Sequence, residues 1–342
     1  PVAAVSAGAV DAGLDCLRRA AADAEKINDR ALFAISLQEL GTSLIHAKRG
    51  FDDEGAILLH QAVELAVETG LQQVAANALR ELGYTEALAG RRPLAAEYLD
   101  QAMDYSQGNK EALAGAHAVS GFNLVDWGKY DEGLAHFEQS LELARSAGNR
   151  RREIWALGIG GWGQLLAGRT DVARDWLQNC IELCDEIRWV AFQPWPQAIL
   201  AETKLKLNED SNSLLSGLEE SLAMSRQLGD PCWEAANSRA IGLIHGAAND
   251  IGAAMKWMDR ARESCCSVSD LYAGLLVEIL MEQVKLYDRS GQARNASSTA
   301  RELLALAAKT HADAHLKFAV SMVNVQNGLS VGNSDELDIT GK

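Results

Sequence analysis

No stretch of eighteen apolar residues occurs in this sequence, so no segment of it reads as a membrane-spanning helix, and no charged-then-apolar stretch reads as a leader. A phosphate loop is also missing, since Gly128-Lys129 is followed by Tyr130 where the motif needs Ser or Thr. Neither a G-x-S-x-G elbow, an H-E-x-x-H helix nor a paired C-x-x-C appears. The six cysteines (Cys16, Cys180, Cys184, Cys232, Cys265, Cys266) have no framework spacing, which predicts free thiols between helices and a reducing, cytoplasmic setting. In that setting the sequon Asn295-Ala296-Ser297 carries no glycan. Basic residues number 32 against 47 acidic ones, and the net charge of −15 opposes binding to a phosphate backbone. These absences argue against a catalyst and against direct contact with nucleic acid or membrane, and they call for no cofactor.

What is present is a period. Helix-terminating positions recur at Gly70, Gly108, Gly148, Arg188, Gly229 and Ser269, with gaps of 38, 40, 40, 41 and 40 residues. Within the units, Gly83, Gly90, Ala95 and Ala102 answer to Gly121, Gly128 and Gly133, to Gly161, Gly168, Ala173 and Cys180, and to Gly242, Asn249, Ala254 and Ala261. A small side chain is required wherever two helices approach closely, and self-similarity at such a period means stacked supersecondary units. Gly followed by Asn or Asp at 108–109, 148–149 and 229–230 stops one helix and caps the next. In Tyr130–Ala147 a stripe of Leu134, Phe137, Leu141 and Ala144 predicts the buried face of a second-position helix, with Glu132, Gln139 and Glu142 off it.

These offsets resemble the tetratricopeptide (TPR) pattern over residues 30–325, with a period near 40 rather than 34. The resemblance implies an all-α, right-handed α-solenoid of about seven helical hairpins, in which helix A of each hairpin lines a concave groove. Residues 1–29 then read as an unpaired helix of a truncated repeat, and 326–342, rich in Gly, Asn, Ser and Asp, as a tail or linker.

Two spacings suggest metal ligands: His311 with His315, and Cys180 with Cys184, each four apart. A zinc site needs three or four protein ligands, so no metal is expected. Cys180 reads instead as one of the small packing residues.

All eight tryptophans fall between Trp127 and Trp257. In TPR-type hairpins the positions six before and one after the helix A glycine face the groove. That register selects Trp155 and Trp162, with Phe122 and Trp195 at equivalent places. Trp176 and Trp257 lie near the packing alanines and read as core. The helix carrying Trp155 also holds Gly158, Gly160, Gly161 and Gly163, of which only Gly161 is explained by the repeat. Each other one costs about 0.8–1.0 kcal/mol of helix preference relative to Ala. They are expected either to make room for a ligand or to allow tight packing.

The next unit opens Trp189-Val190-Ala191-Phe192-Gln193-Pro194-Trp195-Pro196, whose prolines suit a first helical turn. Gly229-Asp230-Pro231-Cys232-Trp233 leads into a helix with Arg239. These segments, expected to be neighbours, resemble the TPR-like arm of large LuxR-type transcriptional regulators, signal-transduction ATPases related to the maltose-operon activator. The resemblance implies a non-catalytic sensor domain that binds a protein or small-molecule inducer and acts on an upstream nucleotide-binding module. Similar arms occur in some multidomain nucleotide cyclases. The alternative is a freestanding peptide-binding adaptor. An adaptor that clamps carboxylates needs several basic residues on successive A helices, and the sequence supplies chiefly Arg80 and Arg239, far apart in the stack. The candidate groove is therefore Phe122, Trp155, Gly158, Trp162, Trp195 and Arg239, with Arg239 as an anion partner.

Overall fold

A computed structural model describes residues 9–47 and 49–326. Among them are sixteen α-helices and no strand. Helix α1 (Val10–Lys26) precedes seven hairpins. The first four are α2 and α3 (Arg30–Ala47, Asp52–Thr69), α4 and α5 (Gln72–Leu88, Arg92–Tyr105), α6 and α7 (Lys110–Asp126, Tyr130–Ala147), and α8 and α9 (Arg150–Leu166, Thr170–Ile187). The last three are α10 and α11 (Pro194–Lys206, Ser211–Leu228), α12 and α13 (Pro231–Ala247, Ile251–Cys265), and α14 and α15 (Ala273–Arg289, Ala293–Lys309), after which α16 (Asp313–Gln326) closes the stack. The protein is a right-handed α-solenoid of TPR-like hairpins. No described helix is long and apolar enough to cross a membrane. Of the expected terminal segments, 1–29 and 326–342, the structure describes 9–29, where α1 lies, and residue 326, while 1–8 and 327–342 lie outside the described residues.

The punctuation works as the residue types dictate. Gly70, Gly148 and Gly229 close α3, α7 and α11 at φ 73°, 68° and 69°, in the left-handed region where a Cβ is penalised. Asn149 then accepts a hydrogen bond from Arg152 N at 3.1 Å, and Asp230 accepts from Cys232 N at 2.9 Å. Ser269 departs from the pattern, because α13 already ends at Cys265. The Ser267 hydroxyl donates to the Ser264 carbonyl at 2.7 Å and takes up a last-turn acceptor, a local bond that favours a turn over another helical turn. The freed residues carry Tyr272 inward.

Four of the seven hairpins share one contact. A Cβ built on Gly83 would lie 2.7 Å from Leu99, on Gly121 2.8 Å from Phe137, on Gly161 2.7 Å from Leu177 and on Gly242 3.0 Å from Met258. Every one of these knobs comes sixteen residues after its glycine, and burying such a side chain contributes about 1.5–3 kcal/mol. The stripe expected on α7 is buried throughout.

The stack also curls onto itself. In the turn after α2, Arg49 Nε stands 3.6 Å from Asp230 Oδ2, and Gly50 N donates to Asp270 Oδ2 at 2.6 Å. His311 brings its ring within 5.9 Å of Trp127. The first three hairpins thus touch the last two across the inside of the superhelix.

Candidate functional site

The inner wall is built from helices α4, α6, α8, α10, α12 and α14. The irregular entrance expected before α10 is a 3-10 turn, Val190–Phe192, followed by Pro194 in the first helical turn. It aims two rings inward. Phe192 lies against Gly158, where a Cβ would sit 2.7 Å from its ring. The Trp195 indole N–H donates to the Gly158 carbonyl at 3.3 Å, and the ring meets Trp162 at 5.9 Å and Trp233 at 5.2 Å. The three segments expected to be neighbours are neighbours.

The glycines of α8 are consumed by packing. A Cβ on Gly160 would come within 2.6 Å of Trp176, and one on Gly163 within 2.8 Å of Val125. Gly158 serves Phe192 in the same way, so the space beside these glycines is filled by the protein's own side chains.

The structure brings together all six expected groove residues, but it roofs most of them. Phe122, Trp162 and Trp195 are fully buried. Tyr272 is the roof, with its ring 5.4 Å from Phe122 and 5.9 Å from Trp195. Its hydroxyl donates to Asp126 Oδ1 at 3.0 Å. Burial pushes Asp126 up to about 6, against the opposing effects of Arg92 and of the Tyr272 hydrogen bond. Trp155 alone among the expected rings keeps an open face. It packs edge-on to Phe122 and Tyr84, at 6.3 Å from each, and His46 stacks on Tyr84 at 5.1 Å.

Arg239 already has carboxylate partners. Its guanidinium donates to Glu202 Oε2 at 2.6 Å and to Glu278 Oε2 at 3.3 Å, and lies over the Trp162 ring at 5.3 Å. Glu278 also meets His315 Nε2 at 2.7 Å. Burial acts to raise Glu278, and His315 and Arg239 outweigh it, bringing the carboxyl down to about 2. The anion expected opposite Arg239 is thus internal.

The histidine pair is split between a turn and a helix, and the cysteine pair lies together in the core. His311 sits in the turn before α16 at φ 52° while His315 is on the helix, paired with Glu278. Cys180 donates its thiol hydrogen to the Ile154 carbonyl at 3.3 Å within the core. No group of three or more His, Cys, Asp or Glu among the described residues could hold a metal ion.

Sequence reasoning missed Arg152. Its guanidinium reaches over Gly115 on α6 to meet Arg80 from α4: a Cβ on Gly115 would lie 3.1 Å from Arg152 Cζ and 3.2 Å from Arg80 Nη1. The signal was available, since Gly115 stands six before Gly121, the groove register that Trp155 holds relative to Gly161.

No protein-family model and no curated protein matches the chain. Solved structures do match in fold. A Rap protein complexed with competence and sporulation factor superposes with a TM-score of 0.66 at 13% identity, covering 86% of each chain. NprR in complex with its cognate peptide NprX gives 0.61 at 12% identity, over 80% of this chain and 82% of that one. A signal-transduction ATPase with a tetratricopeptide repeat sensor, from Pyrococcus horikoshii, gives 0.51 at 14% identity, over 86% of this chain and 43% of that one. At these identities the likeness is one of fold.

Proposed function

We propose that this chain is a peptide- or protein-binding TPR-like domain whose ligand lies along the inner wall of the first four hairpins. The observation that carries this reading is Trp155. It is a half-open aromatic ring, whereas Phe122, Trp162 and Trp195 are buried, and large, pre-organised aromatic side chains are the usual anchors of peptide interfaces. Phe122 and Tyr84 back that anchor directly, and Trp162, Trp195, Gly158 and Arg239 form the packed wall beyond them. The peptide-bound Rap and NprR structures, similar in fold over most of their length, support a peptide as the inducer. The finer reading is the sensor arm of a LuxR-type regulator, acting on an upstream nucleotide-binding module, and the ATPase with a repeat sensor supports that arrangement. The second reading is a freestanding peptide-binding adaptor, for which the peptide-bound Rap fold is the support. Neither reading assigns a catalytic step to these residues.

The test is binding of peptides selected from a random display library, read by calorimetry. Trp155→Ala should weaken binding about tenfold or more, as loss of an aromatic hot spot does, with helical circular dichroism unchanged. Failure to select any binder overturns the reading.

A further inference from the structure

The inner wall carries a charge arrangement that the folded chain does not resolve by itself. Arg80 and Arg152 extend from helices two hairpins apart and meet over Gly115, where the missing side chain leaves them room. Arg80 is anchored, donating from Nε to Glu81 Oε1 at 3.1 Å and from Nη1 to Asn77 Oδ1 at 3.0 Å. Arg152 is not: among the described residues no carboxylate stands within ion-pair range of it, and its guanidinium makes no hydrogen bond. Of the nearby acids, Glu39 forms no ion pair with either arginine, and the other two are committed elsewhere. Glu81 is turned to Arg80 and to His46 Nε2, the latter at 2.6 Å, and Glu111 accepts from Asn149 at 3.1 Å. The charge of Arg80 and then burial push the Arg152 guanidinium down to about 9, against Glu81 and Glu111. Two like charges held together in a half-buried position are costly unless an anion completes them, and guanidinium groups present the forked donors that a carboxylate fits.

We infer that Arg80 and Arg152 form a subsite for a carboxylate of the bound peptide, next to the Trp155 anchor three residues along α8. The inference rests on the peptide-binding reading and adds its chemistry, an acidic ligand group. A singly charged carboxylate suits the site better than a phosphate, because Glu39, Glu81 and Glu111 all lie close enough to act on one or other of the two arginines. The carboxylate comes either from an Asp or Glu side chain or from the peptide's own C terminus.

The experiment uses the peptides selected against the wild-type chain. Each is resynthesised with its C terminus amidated, or with Asp and Glu replaced by Asn and Gln, and titrated against wild type and Arg152→Gln. Neutralising one of the two sources should weaken wild-type binding by about tenfold, as losing a charge-assisted pair does, and should change binding to Arg152→Gln by less than about threefold. A loss on amidation assigns the C terminus, and a loss on side-chain neutralisation assigns an acidic residue. If neutral peptides bind wild type as well as acidic ones do, the subsite is wrong while the peptide reading stands. If no peptide is selected at all, both fall. A second readout needs no ligand: in dilute buffer the melting temperature of Arg152→Gln should equal or exceed that of wild type, because a repulsion has been removed. A clear drop would show that Arg152 is a structural contact and overturn the subsite.

Discussion

Tyr272 and Asp126 stand 146 positions apart in sequence and 3.0 Å apart in space, the phenol donating to the carboxylate across the interior of the superhelix. The bond joins the link before α14 to the last turn of α6, and it fixes the ring that covers Phe122 and Trp195. Tyr272→Phe keeps the ring and removes the donor. It should cost about 1–3 kcal/mol, the range for leaving a buried partner unsatisfied, measured by urea unfolding. Tyr272→Ala should in addition unroof the wall and shift tryptophan emission to longer wavelength. An unchanged emission spectrum in a folded Tyr272→Ala chain would show that the ring is not a roof.

The glycines of α8 set helix propensity against space. Alanine at 158 or 160 gains about 1 kcal/mol of propensity, but its Cβ would press within 2.7 Å of Phe192 or 2.6 Å of Trp176, and overpacking costs about 1–3 kcal/mol. Both variants should melt lower than wild type. Gly217, in the interior of α11 with nothing within 4 Å of its would-be Cβ, is the control, and Gly217→Ala should melt higher. If all three variants were stabilised, packing would not be what keeps α8 rich in glycine.

The repeat, the hairpins and the helix ends were legible in the sequence because they depend on local chemistry: a glycine that admits a knob sixteen residues later, an Asn or Asp that caps. Trp155, Trp162 and Trp195 lie on the A helices that the register selects, and Arg239, which the register does not select, lies over the Trp162 ring. What register does not convey is curvature. Whether a wall is open depends on how far the stack curls, and that is set by contacts such as Arg49 with Asp230 and Tyr272 with Asp126, which no periodicity announces. Arg152 was overlooked because it lies two turns before the small-residue positions that drew attention, although Gly115 opposite marks the space it uses.

Arg239 holds two buried carboxylates, and its removal should be the most damaging single change on the wall. Arg239→Met fills similar volume but leaves Glu202 and Glu278 without their cation, which should cost about 3–5 kcal/mol. Since Glu278 is held down to about 2 partly by Arg239, its carboxyl should take up a proton more readily in the variant. Part of the loss should therefore be recovered near pH 5. Chemical denaturation of both proteins at pH 5 and pH 7.5 measures this, and an equal deficit at the two pH values would contradict it.

The contact between the ends of the stack should respond to pH. Asp52 is raised to about 8 by burial first, then by its hydrogen bond with Asp270 and by the charges of Asp270 and Asp53, against Arg49. An unfolded Asp ionises near 3.9, so between about pH 4 and pH 8 the folded chain retains a proton that the unfolded chain has lost. Stability then falls as pH rises through that window. Asp126, raised to about 6, acts in the same direction over a narrower range. Between pH 6 and pH 8 the melting temperature of wild type should decline, and Asp52→Asn, which needs no proton, should decline less. Parallel curves would remove Asp52 from the account.

The roof over the inner wall also has a place in time. A ribosome adds roughly 5–20 residues per second, so the 146 residues separating Asp126 from Tyr272 take about 7–30 s to synthesise. For that interval the nascent chain can stack its first hairpins with Phe122, and later Trp162 and Trp195, facing an empty channel. Apolar rings exposed for seconds are what chaperones recognise, and a ligand present during translation would meet a wall more open than the one the finished protein presents.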